Sequence, residues 1–395
     1  MRNERMINKG NNWVGLCFMA LLILVLPFQC VEPFTPTLEE NESLLVVEGI
    51  ITDAPGPYIV ELSISTDLTS LSKLPLAGAR VTIVEQGGEQ EELLEISPGV
   101  YSTSVSGIRG VVGKRYKVVV VTPEGEAYES SFEEILPPEP VDTVYVEIES
   151  RVDPNYNYDL RGYQFYVDAS IQNPENKYLF WKLTATYKFN ADLKIPFYYA
   201  GGIFPFPNPD SLFTCFKTID VRDVFVFNAE KLTDPEIRQF PLHFVDTEYR
   251  ELYLRYSLLT KQYTISKEAF LFWDNIKKQN SDLGALYTTQ PFQIRGNVMN
   301  VSDQEEPVLG YFMAAGYSEN RIFVDRPFGV PFHFSNCVIG EPEIYDMRSL
   351  PWLSSSLWPI FLGESPEGAI GLPSQNCVDC RLKGATIEKP DFWID

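Results

Sequence analysis

The stretch Tyr58-Ile-Val-Glu-Leu-Ser-Ile-Ser-Thr66 alternates apolar and polar residues, placing Tyr58, Val60, Leu62 and Ile64 on one face of an extended chain. At helical spacing those four side chains would scatter around the axis, so the segment is read as a half-buried strand. On either side of it the pattern repeats. Residues 80–84 and 116–121 are β-branched runs, while Gly87-Gly88, Pro98-Gly99 and Pro123-Glu-Gly125 supply the tight reversals that hairpins need. About seven strands fit between Leu44 and Ile135, the size of an immunoglobulin-like or prealbumin-like sandwich over 44–136. Ile135-Leu-Pro-Pro-Glu-Pro140 then breaks any continuing strand and reads as a linker.

The remainder, 141–395, is also rich in strand patterns, at 144–148, 163–169, 178–189, 221–227, 251–259 and 310–316. One helix interrupts them. Ser266 is placed to cap residues 267–280, Ile265 and Phe270 hold staple positions, and Ala269, Phe270, Trp273 and Ile276 form the apolar stripe. The expected class is therefore all-β: a small N-terminal sandwich followed by a larger β-sandwich-type domain with one inserted helix.

Arg2, Arg5 and Lys9 precede fourteen apolar residues, Trp13 to Leu26, a run shorter than the ~20 residues a membrane-spanning helix requires. It reads as a signal peptide over 1–29. The run ends at Leu26-Pro27-Phe28-Gln29-Cys30, with a cysteine where a bacterial lipoprotein is cleaved and acylated, so Cys30 is the expected lipidation site. Pro27 and Gln29 depart from the usual residues of that motif. Residues 30–43 have prolines and acids but no periodicity, as a tether would.

With 54 acidic against 32 basic residues the formal charge is −22, which repels nucleic acid and excludes a nucleic-acid partner. The acids 85, 89, 91, 92 and 95 read first as solvated turns and strand faces, and more sharply as an acidic docking surface. Chemistry is poorly represented. No GxSxG, P-loop, HExxH or GxGxxG pattern occurs, and His243 and His333 both sit between aromatic and apolar neighbours, which suits packing better than proton transfer. Asp153-Pro-Asn-Tyr-Asn-Tyr-Asp159 begins like a calcium loop, but Tyr158 stands where glycine is needed and Gln164 where glutamate is needed. No catalytic residue, metal site or cofactor is assigned.

Cys215, Cys337, Cys377 and Cys380 form an even set in an exported chain and are expected as two disulfides rather than a zinc site. Three connectivities are possible. The expected one joins Cys377 to Cys380 locally and Cys215 to Cys337 over a long separation.

The strongest binding signal is Ile195-Pro-Phe-Tyr-Tyr-Ala-Gly-Gly-Ile-Phe-Pro-Phe-Pro-Asn-Pro-Asp210, a proline-stiffened loop whose Phe197, Tyr198, Tyr199, Phe204 and Phe206 are candidate contact residues. A loop folded back on its own sandwich is the alternative. The stretch from Leu350 to Leu362, bearing Trp352 and Trp358, has the same two readings.

Several pieces recur in one order: Cys30-Val-Glu-Pro, Leu45-Val-Val-Glu-Gly49, Ile51-Thr-Asp53, Ala77-Gly-Ala-Arg-Val81, Gly99-Val-Tyr101 and Gly113 to Tyr116 with Gly125 and Tyr128. They continue with Glu268-Ala-Phe-Leu-Phe-Trp273, Gly296-Asn297, Leu309-Gly-Tyr-Phe312, Cys377-Val-Asp-Cys380 with Gly384, and Pro390-Asp-Phe-Trp393. In this the chain resembles the domain of unknown function 4249 family of Bacteroidota lipoproteins. The resemblance implies an outer-membrane lipoprotein of β-sandwich type, commonly encoded beside a TonB-dependent receptor, and brings no catalytic residues. The expected role is a non-enzymatic accessory or ligand-binding subunit of such a transporter. An adhesive or scaffolding envelope module and an envelope hydrolase are the alternatives, and the periplasmic or surface face stays open.

Overall fold

Alternating burial carries the architecture, and one sheet runs through all of it. In the computed structural model residues 44–65, 74–282, 294–334, 337, 347–364, 368 and 370–395 are described. The protein is all-β, with several sheets packed on one another and a single α-helix among the described residues, Lys267–Asp282. The central sheet has nine strands. Its order is Thr214–Asn228, Tyr178–Asn190, Arg255–Thr264, Leu309–Asp325, Leu45–Thr52, Ile59–Ile64, Val100–Ser102 and Leu94–Ser97, with Leu74–Pro75 paired beside Ile59–Ile64.

The first core lies between one half of this sheet and a six-stranded sheet built on Arg80–Glu85, Arg115–Val121 and Ala127–Ser130. Val47, Ile51, Val60 and Leu62 meet Val81, Ile83, Val118 and Val120, the alternate positions that the sequence marks as inward. The second core lies between the other half and a three-stranded sheet, Val141–Arg151, Leu160–Ser170 and Glu236–Asp246. It is more aromatic, with Trp181, Phe165, Phe189 and Tyr256 buried together.

The proline run at 137–140 separates the two sandwiches along the chain but does not interrupt the sheet. Leu45–Thr52 pairs in parallel with Leu309–Asp325, from Val46 opposite Leu309 to Thr52 opposite Ala315. Along that long strand Phe312 and Ala314 enter the first core, and Ile322 and Val324 pack against the second. The intervening positions Tyr311, Met313 and Ala315 lie beneath the helix. The linker itself is locked down. Gln262 bridges Trp181 Nε1 (2.9 Å) to the Glu139 carbonyl (2.8 Å), and a Cβ at Gly316 would stand 2.4 Å from the Leu136 carbonyl oxygen.

The helix starts as its sequence requires, with the Ala269 amide donating to Ser266 Oγ at 3.1 Å and Ile265 and Phe270 both buried. Ser266 also donates to the buried carboxylate of Glu133 (2.7 Å), which accepts from Tyr311 Oη as well (2.7 Å). Burial raises the Glu133 carboxyl above the ordinary carboxylate range and pushes the Tyr311 phenol up. No helix among the described residues is long and apolar enough to cross a membrane.

Candidate interaction surface

The aromatic–proline loop folds into a hairpin and recruits the second tryptophan-bearing stretch. Phe197–Tyr199 pairs with Ile203–Pro205 on one side and with Ile360–Glu364 on the other, and Ile370–Gly371 completes a small four-stranded sheet. Pro205 is tolerated because its strand is an edge. Gly201 makes the turn at φ +77°, and a Cβ there would stand 3.0 Å from the Trp358 ring. Gln375 fixes the partner strand from the side, its amide accepting from the Phe361 N–H (2.9 Å) and donating to the Phe361 carbonyl (3.0 Å).

Most of the aromatic area is used internally. Tyr199 is buried with Leu350, Ile360 and Leu362, and Phe197 packs partly against that group. Phe206 packs with Phe361 on a separate cluster of Leu193, Ile195, Leu212, Cys377 and Val378. Of the five candidate contact residues, Phe204 (46% exposed) faces outward, and the half-buried Tyr198 packs beside it at 5.7 Å between ring centroids. Ile203 (52%), Trp352 (87%) and Leu357 (60%) join them at the surface, with Trp358 set edge-on against Tyr199.

Two disulfides form, one of them packed against this sheet, and their pairing corrects the expectation of a local Cys377–Cys380 bond and a long Cys215–Cys337 one. Cys215 is joined to Cys380 and Cys337 to Cys377. Cys377 and Cys380 end and begin two successive 3-10 turns, Gln375–Cys377 and Cys380–Lys383, and face different clusters. Cys380 enters the second core beside Cys215, its amide held by the Leu212 carbonyl at 3.1 Å, whereas Cys377 faces Leu193 and Ile195. Asp192 lies beside the Cys337 and Cys377 sulfurs, but sulfurs bonded to each other offer no thiolate to a metal.

The other sequence candidates lie elsewhere. His243 sits on Glu236–Asp246, where burial lowers its pKa and favours the neutral ring. His333 stacks on Tyr158 at 4.5 Å. The Asp153 carboxylate accepts from the Asn155 amide and side chain, closing a local turn. Several glutamates of the acidic stretch hold loops: Glu91 accepts from the Ser104 and Ile108 amides, and Glu95 from those of Gly78 and Gly99. Cys30 lies outside the described residues. A hollow of about 530 Å³ at the helix start contains Glu133, Lys177, Lys267 and Glu268 in its wall. Its buried carboxylate is already committed to Ser266 and Tyr311.

Sequence reading marked both stretches but did not join them. The signal that could have done so is their shared lack of charge: residues 195–209 and 350–363 contain no Asp, Glu, Lys or Arg, in a chain with 86 charged residues among 395.

Fold and surface together define an all-β protein of packed sheets with an appended aromatic sheet. The chain belongs to the domain of unknown function family DUF4249, which it matches over residues 31–321. The hairpin lies within that stretch, while Ile360–Glu364 and three of the four bridging cysteines lie beyond it. No curated protein matches the chain.

Proposed function

We propose that this is a lipid-anchored envelope protein that binds rather than catalyses, serving as an accessory subunit of an outer-membrane TonB-dependent transporter. The observation that carries the reading is the uncharged aromatic surface, assembled from two stretches about 150 residues apart and left uncovered on the hairpin at Ile203 and Phe204. Rigid aromatic side chains on a sheet packed against a disulfide present contact area at low entropic cost. Support for the anchor comes from the basic start, the short apolar run and Cys30. A protein held at a membrane without a spanning helix needs a barrel partner to take part in transport.

Two measurements test this. Cys30→Ser abolishes fatty-acid labelling and releases the protein from membranes; labelling that persists refutes the anchor. Affinity purification from mildly solubilised membranes recovers a TonB-dependent receptor, and Tyr198→Ala with Phe204→Ala weakens recovery by about tenfold if both are centrally placed. Purification that brings down no barrel protein refutes the partnership. Tyr199 is left intact because its burial makes truncation a stability change instead.

A further inference from the structure

We infer that the crest formed by Trp352 and Leu357, beside the hairpin, seats in a phospholipid bilayer surface. The inference rests on the anchored reading above and adds the surface that meets the lipid.

Three observations converge on it. Trp352 and Leu357 stand on two 3-10 turns, Met347–Trp352 and Ser355–Leu357, whose Leu350 and Leu353 already pack against the sheet at Tyr199, Ile360 and Leu362, so the exposed pair is not an unfinished core. Between the two exposed residues lie Ser354, Ser355 and Ser356, small hydroxyls at home among headgroups, with no ionised side chain from 350 to 363. Tryptophan beside aliphatic side chains, with no charge to desolvate, is the composition that partitions into the interfacial zone.

The chain outside the described residues supplies the geometry. Leu44 lies fourteen residues beyond Cys30, a span of at most roughly 50 Å at full extension. An anchored protein is thereby confined close to the bilayer, where a contact of modest affinity is occupied most of the time. The net charge of −22 also sets the lipid preference. Contact driven by this crest is opposed by anionic lipid, an opposition that salt relieves, and on neutral lipid it is insensitive to salt, the reverse of a basic membrane-binding patch. A barrel partner lies in the same bilayer, so a surface reaching lipid also stands at the barrel's rim.

The test uses the mature chain from residue 30 carrying Cys30→Ser and no acyl group, with vesicles of phosphatidylcholine alone or with one-third phosphatidylglycerol. The expected result is sedimentation with phosphatidylcholine vesicles, unchanged by salt, and quenching of tryptophan emission by bromine-labelled acyl chains. W352A/L357A lowers partitioning by roughly ten- to a hundredfold, as losing two bulky interfacial side chains requires, without moving the melting temperature. L94A/I96A, which removes exposed apolar side chains from the edge strand Leu94–Ser97 of the central sheet, leaves partitioning unchanged.

Absence of sedimentation, or sedimentation indifferent to W352A/L357A, overturns the inference. If vesicles are ignored while the same pair abolishes recovery of a barrel protein, the crest is a protein contact and the lipid assignment falls. If Cys30 takes no fatty acid but the soluble chain still binds vesicles through Trp352, the anchored reading fails and the lipid contact stands.

Discussion

Two regions of the molecule, the N-terminal edge of the central sheet and the turns beside the aromatic sheet, expose large apolar side chains, yet they differ in what surrounds them. At the N-terminal edge Leu94 (72% exposed) and Ile96 stand in a stretch that also holds Glu89, Glu91, Glu92 and Glu95. Two of those glutamates are committed to backbone amides of neighbouring loops. Beside the aromatic sheet Trp352 and Leu357 have serines and prolines for neighbours and no charge from 350 to 363. An isolated exposed leucine is ordinary, whereas an exposed apolar surface without charge has nothing to keep a partner away. The charged edge is also protected against pairing with another strand, the usual hazard of an open sheet.

The largest effect should come from the disulfide beneath the aromatic sheet. Cys337→Ser with Cys377→Ser opens a 40-residue closure, for which loop entropy alone gives a loss of up to ~4 kcal/mol. Hydrogen exchange should quicken first in Phe197–Tyr199 and Ile360–Glu364 while Arg115–Val121 keeps its protection; equal loss in both would erase the distinction between the two regions.

At the N-terminal edge Glu91→Ala removes the acceptor of the Ser104 and Ile108 amides, at an expected cost of ~0.5 to 1.5 kcal/mol in chemical denaturation. Vesicle binding should not change. A smaller, pH-resolved contrast comes from Glu133. Its folded-state pKa is raised, so the folded protein holds this proton more tightly than the unfolded chain does. Its contribution is most favourable at low pH and declines as pH rises from the ordinary carboxylate value towards its raised one. Relative to Glu133→Gln, wild-type melting temperature should fall across that window, whereas the crest, lacking titratable groups, should bind vesicles equally throughout. A parallel pH profile in the two proteins would remove Glu133 from this role.

Local physics was legible in the sequence and closure was not. Alternation placed Tyr58, Val60 and Leu62 inward, and the cap at Ser266 with its apolar stripe placed the helix, because each rests on residues within one or two turns of one another. The strand Glu236–Asp246 was missed for an equally local reason. Pro241 lies inside it and Gln239 adopts φ +51°, both of which argue against a strand. The strand tolerates them because it is an edge, with register shifts opposite both positions and the Gln239 amide donating to Asp168 Oδ1 at 2.7 Å. The disulfide pairing depended on which cluster each of two neighbouring cysteines faces, and the union of 197–205 with 360–371 on contacts across more than 150 residues. Spacing along the chain carries neither.

The parallel pairing of Leu45–Thr52 with Leu309–Asp325 imposes an order in time. Val47 and Ile51 leave the ribosome some 260 residues ahead of Phe312 and Ala314, which share their core. At synthesis rates of ~5 to 20 residues per second that interval is on the order of tens of seconds. Throughout it the leading strand is missing one of its neighbours in the sheet, and its apolar face is open to wrong partners. This protein therefore cannot mature from its N-terminus onward as a string of finished units. A holding chaperone would have most to do during that wait, and a chain truncated before residue 309 would never be released from it.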